Sequence, residues 1–328
     1  MTRVKIFILF CFFYFQFQAD LKDYISADEL IPRTRILTMG TGGTAGVYFP
    51  IGKLIASILR KSGDAVVLVQ PTDGSLNNLS LLAQKRVDLA LVQSDVLYNE
   101  IHSQSLNPLD LSTIRTLISL YSEHLYFVVS RKSGIKNWEE FEDKTISFGP
   151  EDSGTFHLLK PLLPKLGVDI DSLEPLFLNL KDSITALKKG KADGFFFVGG
   201  EIVESIKELG EQSEISILSI PFDVTQSIIL EFPYLTSSTI PNRNYPFLPG
   251  SISTLSVRAL ILGAKELPDK LATAIIQKIY NKKYLFSRFL PGIKKFNLQQ
   301  ATLGTSIPFH KGVEDFLQRK NIHIPKKF

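Results

Sequence analysis

The sequence predicts an α/β protein built from two lobes, and three observations lead to this prediction. The chain has 328 residues, which is longer than a single hydrophobic core usually extends. Segments with the pattern of buried strands alternate with amphipathic helical segments along most of its length. The alternation also starts afresh in a second block after residue 125.

The composition is that of an ordinary globular protein, with 44% hydrophobic residues, 21% charged residues and a net charge of +4. Basic residues form no cluster dense enough to predict binding to nucleic acid. The single cysteine, Cys11, excludes an intrachain disulfide and a cysteine-based zinc site. No two histidines have the spacing of a metal-binding helix, so we expect neither a metal nor another cofactor.

Residues 1–19 have the pattern of a secretory signal peptide. Arg3 and Lys5 precede a short apolar run, which is too short to span a bilayer comfortably. We therefore expect an exported protein in which residues 20–34 form an N-terminal arm. An uncleaved membrane anchor is the alternative, because Phe17 stands where a cleavage site prefers a small residue.

The first lobe is predicted over residues 35–125. We predict strands over residues 35–39, 65–69 and 89–92. From Ile51 to Leu59, apolar residues recur at the spacing of one helix face. A second helix follows the turn at Gly74, and Ser94 is placed to begin a third. Strands and helices in this order predict a parallel sheet that is covered on both faces.

The second lobe, predicted over residues 126–220, repeats this alternation. We predict strands over residues 125–130, 145–148, 176–178 and 192–198. We predict helices over residues 138–141, from residue 153 onward and over residues 183–189. The remaining residues, 221–328, include a predicted strand (254–262) and helix (269–281), and we expect them to return mainly to the first lobe.

Two turns, each between a predicted strand and a predicted helix, carry the chemistry. One is the Gly/Thr-rich run of residues 40–48, and the other spans residues 149–155. At each turn a helix N-terminus offers free N–H groups, and hydroxyls such as those of Thr44 and Ser153 add further donors. This arrangement favours a small anion such as a carboxylate, held beyond the carboxyl ends of the strands. The simpler interpretation is that the glycines only make tight turns.

Nucleotide binding and catalysis find no support in the motifs. No lysine follows Gly46 as a P-loop requires, and Gln70 stands where an acidic residue would bind a ribose. The chain has no G-x-S-x-G or H-E-x-x-H motif, so we do not expect an enzyme. Arg258 lies in a predicted strand, where it either reaches a ligand carboxylate or points to solvent; we favour the second.

An ordered set of motifs resembles a known family. The run at residues 39–50, MGTGGTAGVYFP, is similar to the opening motif of the TAXI solute-binding proteins. These are receptor components of one branch of the tripartite ATP-independent periplasmic (TRAP) transporters. Further similar segments follow in the family's order, at residues 74–79, 88–95, 133–135, 149–155, 240–245, 257–260 and 307–312.

The resemblance implies a type II periplasmic-binding-protein fold, in which two α/β lobes close around a ligand. It also implies a periplasmic location, a small anionic solute such as glutamate, glutamine or another carboxylate, and a membrane permease as partner. We expect a monomer with no nucleic-acid partner. By position, the resemblance assigns the ligand contacts to Gly42, Gly43, Thr44, Tyr48, Gly74, Ser75, Gln93, Ser94, Ser153, Gly154 and Thr155.

Some features depart from the family pattern, among them the stretch at residues 199–201, which lacks the proline expected just beyond it. Phe156 stands where members often have an acidic residue, which puts recognition of an amino group in question. Pro161 should kink the helix behind this motif or end it early. A dicarboxylate or an apolar acid therefore stays open beside an amino acid as the solute. An exported ligand sensor and a surface interaction protein with a vestigial cleft are the alternative functions.

Overall fold

The structure is a computed structural model that describes residues 35–106, 108–138, 140–288, 290 and 296–324. The predicted signal peptide and N-terminal arm lie outside these residues. Within them, ten strands form one mixed sheet in the order β2-β1-β3-β10-β4-β7-β5-β6, with β8 paired to β4 and β9 to β10. The strands are β1 Arg35–Gly40, β2 Ala65–Gln70, β3 Leu89–Gln93, β4 Ile114–Ser130, β5 Thr145–Ser147, β6 Glu174–Leu176, β7 Gly194–Gly199, β8 Ile215–Ile217, β9 Thr236–Ile240 and β10 Ile252–Ala264.

Helices follow most of these strands, as the alternating pattern predicts. The α-helices are α1 Tyr48–Lys61, α2 Ser75–Ala83, α3 Ser94–Ile101, α4 Gly154–Leu162, α5 Leu180–Lys188, α6 Glu204–Gln212, α7 Phe222–Glu231, α8 Asp269–Asn281 and α9 Lys311–Arg319. Parallel pairing of β1 with β3 in the first lobe, and of β5 with β6 and β7 in the second, is typical of strand–helix–strand units. Among the residues described, no helix is both long and apolar enough to cross a membrane.

Two long antiparallel strands, β4 and β10, connect the lobes. The first half of β4 pairs with β10, and its second half pairs with β7 of the second lobe. The strand predicted at residues 125–130 is therefore only the end of a 17-residue strand. The sequence conceals its first part because polar residues such as Ser119, Glu123 and His124 are buried there and interrupt the apolar run.

The second lobe has an aromatic core on one face of β4 and β7. The ring of Phe127 lies 4.3 Å from that of Phe196 and 4.8 Å from that of Phe141 between centroids. The Trp138 indole packs against the same rings and donates to the Ser219 carbonyl at 2.9 Å. The predicted helix at residues 138–141 is wrong: its described residues form a turn and irregular structure, which allows both aromatic side chains to reach this core.

Residues after the second lobe pack on both lobes. Ile228 of α7 and Leu235 belong to the hydrophobic core of the second lobe. Helices α8 and α9 pack against each other, and their buried apolar residues lie with those of α1 in a different hydrophobic cluster. Pro161 is accommodated in the last turn of α4, which ends at the next residue, as its position predicts.

Candidate ligand-binding site

A cavity of about 290 Å³ lies between the two lobes. Its wall is formed where strands end and helices begin, at the N-terminal ends of α1, α2, α4 and α5. This volume is at the lower end of the range for small-molecule sites, so the cavity suits a metabolite of amino-acid size. The wall places several helix N-termini, with their free N–H groups and positive dipole ends, around one space.

All of the predicted contact residues except Ser94 line this cavity. They are Gly42, Gly43, Thr44, Tyr48, Gly74, Ser75, Gln93, Ser153, Gly154 and Thr155. Their contact with a solute stays a prediction. Ser94 is buried behind the wall, where its hydroxyl accepts a hydrogen bond from the backbone N–H of Arg258 at 2.9 Å.

The first turn is held rigid from behind by Asn78. The buried amide of Asn78 donates to the carbonyls of Thr41 and Leu91, and its Oδ1 accepts from Thr72 Oγ1 at 2.7 Å. Gly40 makes this approach possible, because a Cβ there would lie 2.6 Å from Asn78 Oδ1. The Thr41 hydroxyl donates to the carbonyl of Gln70 at 2.7 Å, so this threonine fixes the turn and leaves Thr44 as the exposed hydroxyl of the run.

The second turn is held by its own hydroxyls. Ser153 Oγ caps α4 by accepting from the Phe156 N–H at 3.2 Å. Thr155 Oγ1 accepts from the backbone N–H of Val198 at 3.1 Å. Both oxygens are acceptors in these bonds, so each hydroxyl keeps its hydrogen for another partner. Gly149, with a φ of +82°, makes the backbone reversal that side chains rarely allow.

Contacts across the cavity hold the two lobes together. The Asn77 N–H of the first lobe donates to the Asp152 carbonyl of the second at 3.2 Å. The side-chain amide of Gln93 is oriented with its nitrogen toward the second lobe. This nitrogen donates to the Gly154 carbonyl at 3.1 Å. His157 Nε2 also lies 3.8 Å from a carboxylate oxygen of Glu100 on α3. The structure is therefore in a closed arrangement over the cavity.

An acidic residue that the motifs do not indicate, Glu123, also lines the cavity. Its Oε2 accepts from the Tyr48 hydroxyl at 2.7 Å, and its Oε1 accepts from the Tyr121 hydroxyl at 3.4 Å. Burial raises the pKa of Glu123 to about 8. Behind it, burial also raises the pKa of Asp95 to about 7, and Asp95 Oδ2 has no hydrogen-bond partner among the described residues.

Arg258 does not point to solvent, which corrects the expectation from its strand pattern. Its Nε donates to Ser119 Oγ at 2.9 Å and its Nη1 to Ser122 Oγ at 3.1 Å, so the guanidinium packs along β4. Burial lowers the pKa of Arg258 to about 10, while attraction to Glu123 opposes this shift. The side chain lies outside the cavity wall and so is not placed to bind a ligand carboxylate directly.

The two buried carboxyls should make the empty protein less stable as the pH rises from about 6.5 to about 8.5. Carboxyls of an unfolded chain titrate near pH ~4, whereas Glu123 and Asp95 have a raised pKa, at about 8 and about 7. The folded state holds protons that the unfolded state lacks in this window, so its stability falls with rising pH. Burial lowers the pKa of His124 to about 4, so this residue has the opposite effect at lower pH. Between pH about 4 and about 6.5, the usual pKa of an unfolded histidine, it makes the folded protein more stable as the pH rises.

Urea unfolding at the two pH values checks this expectation. Glu123→Gln should remove up to about 2 kcal/mol of the loss, because the amide keeps the shape of the side chain without titrating. Glu208→Gln, on an exposed position of α6, is the matched control. If the wild type and Glu123→Gln lose the same free energy of unfolding between the two pH values, Glu123 is not the cause of the loss.

Comparison with known proteins places this geometry in a family. Residues 39–320 match the NMT1-like family. Among solved structures, the chain is similar to a protein of Bordetella bronchiseptica RB50, with a TM-score of 0.52, 13% identity, and coverage of 90% of this chain and 91% of that one. It is also similar to an ABC uptake transporter substrate-binding protein from Streptococcus pneumoniae with bound histidine, with a TM-score of 0.50, 13% identity, and coverage of 78% and 92%.

Identities at this level show the shared fold alone, and they confirm the predicted type II periplasmic-binding-protein architecture of two α/β lobes with a cleft between them. The family match is broader evidence, since it extends over most of the chain, from the first glycine turn to the end of α9. The chain belongs to the NMT1-like family.

Proposed function

We propose that this protein is an exported, periplasmic solute-binding protein that captures a small carboxylate in the cleft and delivers it to a membrane transporter. The observation that carries the proposal is the convergence of four helix N-termini on one cavity between two lobes. Such an arrangement attracts anions, and lobe closure excludes water from the bound solute.

The N-terminal ends of the helices differ in a way that supports anion binding. Helices α1 and α2 have no side-chain cap, so their first-turn N–H groups include donors that no side chain satisfies. Helices α4 and α5 are capped by Ser153 and Asn179. A ligand carboxylate between these ends would supply the acceptors that α1 and α2 lack.

The motifs support a class of partner and a class of solute. The resemblance of residues 39–50 to the TAXI proteins supports a TRAP-type permease as the transporter, although the S. pneumoniae structure of the same fold is an ABC uptake protein. Its bound histidine supports small solutes as a class for this fold. Glutamate, glutamine and dicarboxylates are the first candidates for this chain.

A binding role is favoured over a catalytic one. Turnover would require a positioned acid–base pair that faces the bound anion. Glu123 is engaged by two tyrosine hydroxyls, and the other charged residues of the wall, Asp73 and Lys181, are exposed to solvent.

A thermal-shift screen tests the proposal. A true solute at about 100 times its Kd should add about 2.7 kcal/mol of stability and raise the Tm, and the panel is glutamate, glutamine, 2-oxoglutarate, succinate, and branched-chain and aromatic acids. Thr44→Ala should weaken binding roughly 5–10-fold, because a hydroxyl donor to a charged ligand is lost.

Thr239→Ala, on an exposed position of the edge strand β9, is the control for the same substitution outside the cleft. A folded protein that no acid of a broad library stabilises would contradict the proposal. That result would favour an interaction protein with a vestigial cleft.

A further inference from the structure

Glu123 is an unexpected residue for a cavity that attracts anions. Its side chain is 1% exposed and contributes to the cavity wall, while the ends of four helices around it favour negative charge. A second anionic group on the solute would be repelled by this carboxyl, or would force it to stay protonated. We therefore expect this carboxyl to have a positively charged partner.

Among the residues that the structure describes, no cationic side chain forms an ion pair with Glu123. The ion pairs of the described residues do not include Glu123, and the Arg258 guanidinium, which attracts it electrostatically, is bound to Ser119 and Ser122. The hydroxyls of Tyr48 and Tyr121 occupy one acceptor position on each oxygen. A carboxylate has about four such positions, so others remain for a donor on the solute.

We infer that Glu123 selects solutes that carry a protonated nitrogen beside their anionic group, and that it selects against monocarboxylates and dicarboxylates that lack such a nitrogen. This inference rests on the proposed solute-binding function and names the chemistry of its site. In this arrangement the helix N-termini hold the solute carboxylate, and Glu123 accepts a charge-assisted hydrogen bond from the solute nitrogen. The acid comes from β4, whereas Phe156 occupies the position where the resembled family often has one.

A proton should leave the site when such a solute binds. Since burial raises the pKa of Glu123 to about 8, the empty site carries this proton at about pH 7.5 in most molecules. A neighbouring ammonium group favours the ionised carboxylate. The charged and titratable groups near Glu123 are Tyr48, Tyr121, Asp95 and Arg258, and the tyrosines have raised pKa values, so they stay neutral.

Isothermal titration calorimetry with matched solute pairs tests the inference. The pairs are L-glutamate with glutarate, L-glutamine with glutaramate, L-leucine with 4-methylpentanoate, and L-phenylalanine with 3-phenylpropanoate. For the pair that fits the cavity, the amino acid should bind roughly 10–100-fold more tightly than the acid without its amino group. Glu123→Gln should reduce this preference to within about threefold. In the wild type at about pH 7.5, the binding enthalpies measured in phosphate and in Tris should differ, because the buffer takes up the proton that leaves Glu123.

The outcomes separate this inference from the proposed function. Equal or tighter binding of the acids without an amino group, and no proton release, would overturn the inference and leave the proposed function intact. An unchanged preference in Glu123→Gln would also overturn it. Failure of every solute to bind the folded wild type would overturn the proposed function and the inference together. The comparison of matched solutes needs no variant, so it tests the inference even if Glu123→Gln does not fold.

Discussion

Gly154→Ala should weaken solute binding roughly 10–100-fold while changing the stability of the empty protein by less than about 1 kcal/mol. A Cβ at this position would lie 2.4–2.7 Å from the amide atoms of Gln93, on the opposite lobe. In the closed arrangement the new methyl group would displace this amide from the Gly154 carbonyl and hold the lobes apart. An open arrangement does not bring the two residues together, so the empty protein should tolerate the change.

Gly250→Ala is the matched control, because Gly250 lies outside the cavity wall and a Cβ there meets no atom within 4 Å. Titration of both variants with the solute that the thermal-shift screen identifies provides the measurement. If Gly154→Ala binds the solute with wild-type affinity, the Gln93 amide moves aside without a loss of binding free energy. In that case this contact would not contribute to closure.

Asn78→Ala should lower the free energy of unfolding by about 3 kcal/mol. The side chain is completely buried and connects the turn after β1, strand β3 and the loop after β2 through hydrogen bonds to Thr41, Leu91 and Thr72. Alanine would remove all three bonds and leave a cavity, while buried polar groups would lose a partner. Because the same bonds hold the first glycine turn in place, solute affinity should fall as well.

Urea unfolding measures this effect, with Asn77→Ala as the control. Asn77 is the neighbouring residue of α2, it is only partly buried, and its contact to the second lobe uses the backbone, which alanine keeps. The control should change the stability by less than about 0.5 kcal/mol. A loss below about 1 kcal/mol in Asn78→Ala would contradict the prediction and would mean that water or neighbouring groups replace the amide.

Sequence reasoning located the cleft but not its acidic group. The Gly/Thr turn and the Ser-Gly-Thr turn are contiguous in the chain, so their composition and their place between a strand and a helix were visible as local patterns. Glu123 belongs to neither turn. A charged residue inside a strand whose neighbours are Ser122 and His124 looks solvated, and nothing local indicates that it pairs with β10 and is buried. The one available signal was the accumulation of polar residues next to the apolar run that begins at Leu125.

The difference between local patterns and contacts distant in sequence also explains which predictions were wrong. Ser94 has the correct motif position, yet its hydroxyl points to the backbone of β10, which arrives from 164 residues further along the chain. Arg258 alternates with apolar residues as an exposed position would, but β4 places two serine hydroxyls against it. The described residues of the predicted helix at 138–141 are turn-like or irregular, and the rings of Trp138 and Phe141 pack into the core.

Short-range information was thus sufficient for the α/β class, for the strand–helix order and for the two glycine-containing turns that line the cavity. These depend on periodicity, on glycine and on helix ends, which are properties of neighbouring residues. The tertiary structure alone decided which strands cross between the lobes, which polar side chains are buried, and that Glu123 faces the cavity. Burial and pairing over more than a hundred residues are set by the packing of the whole sheet, and no local pattern encodes them.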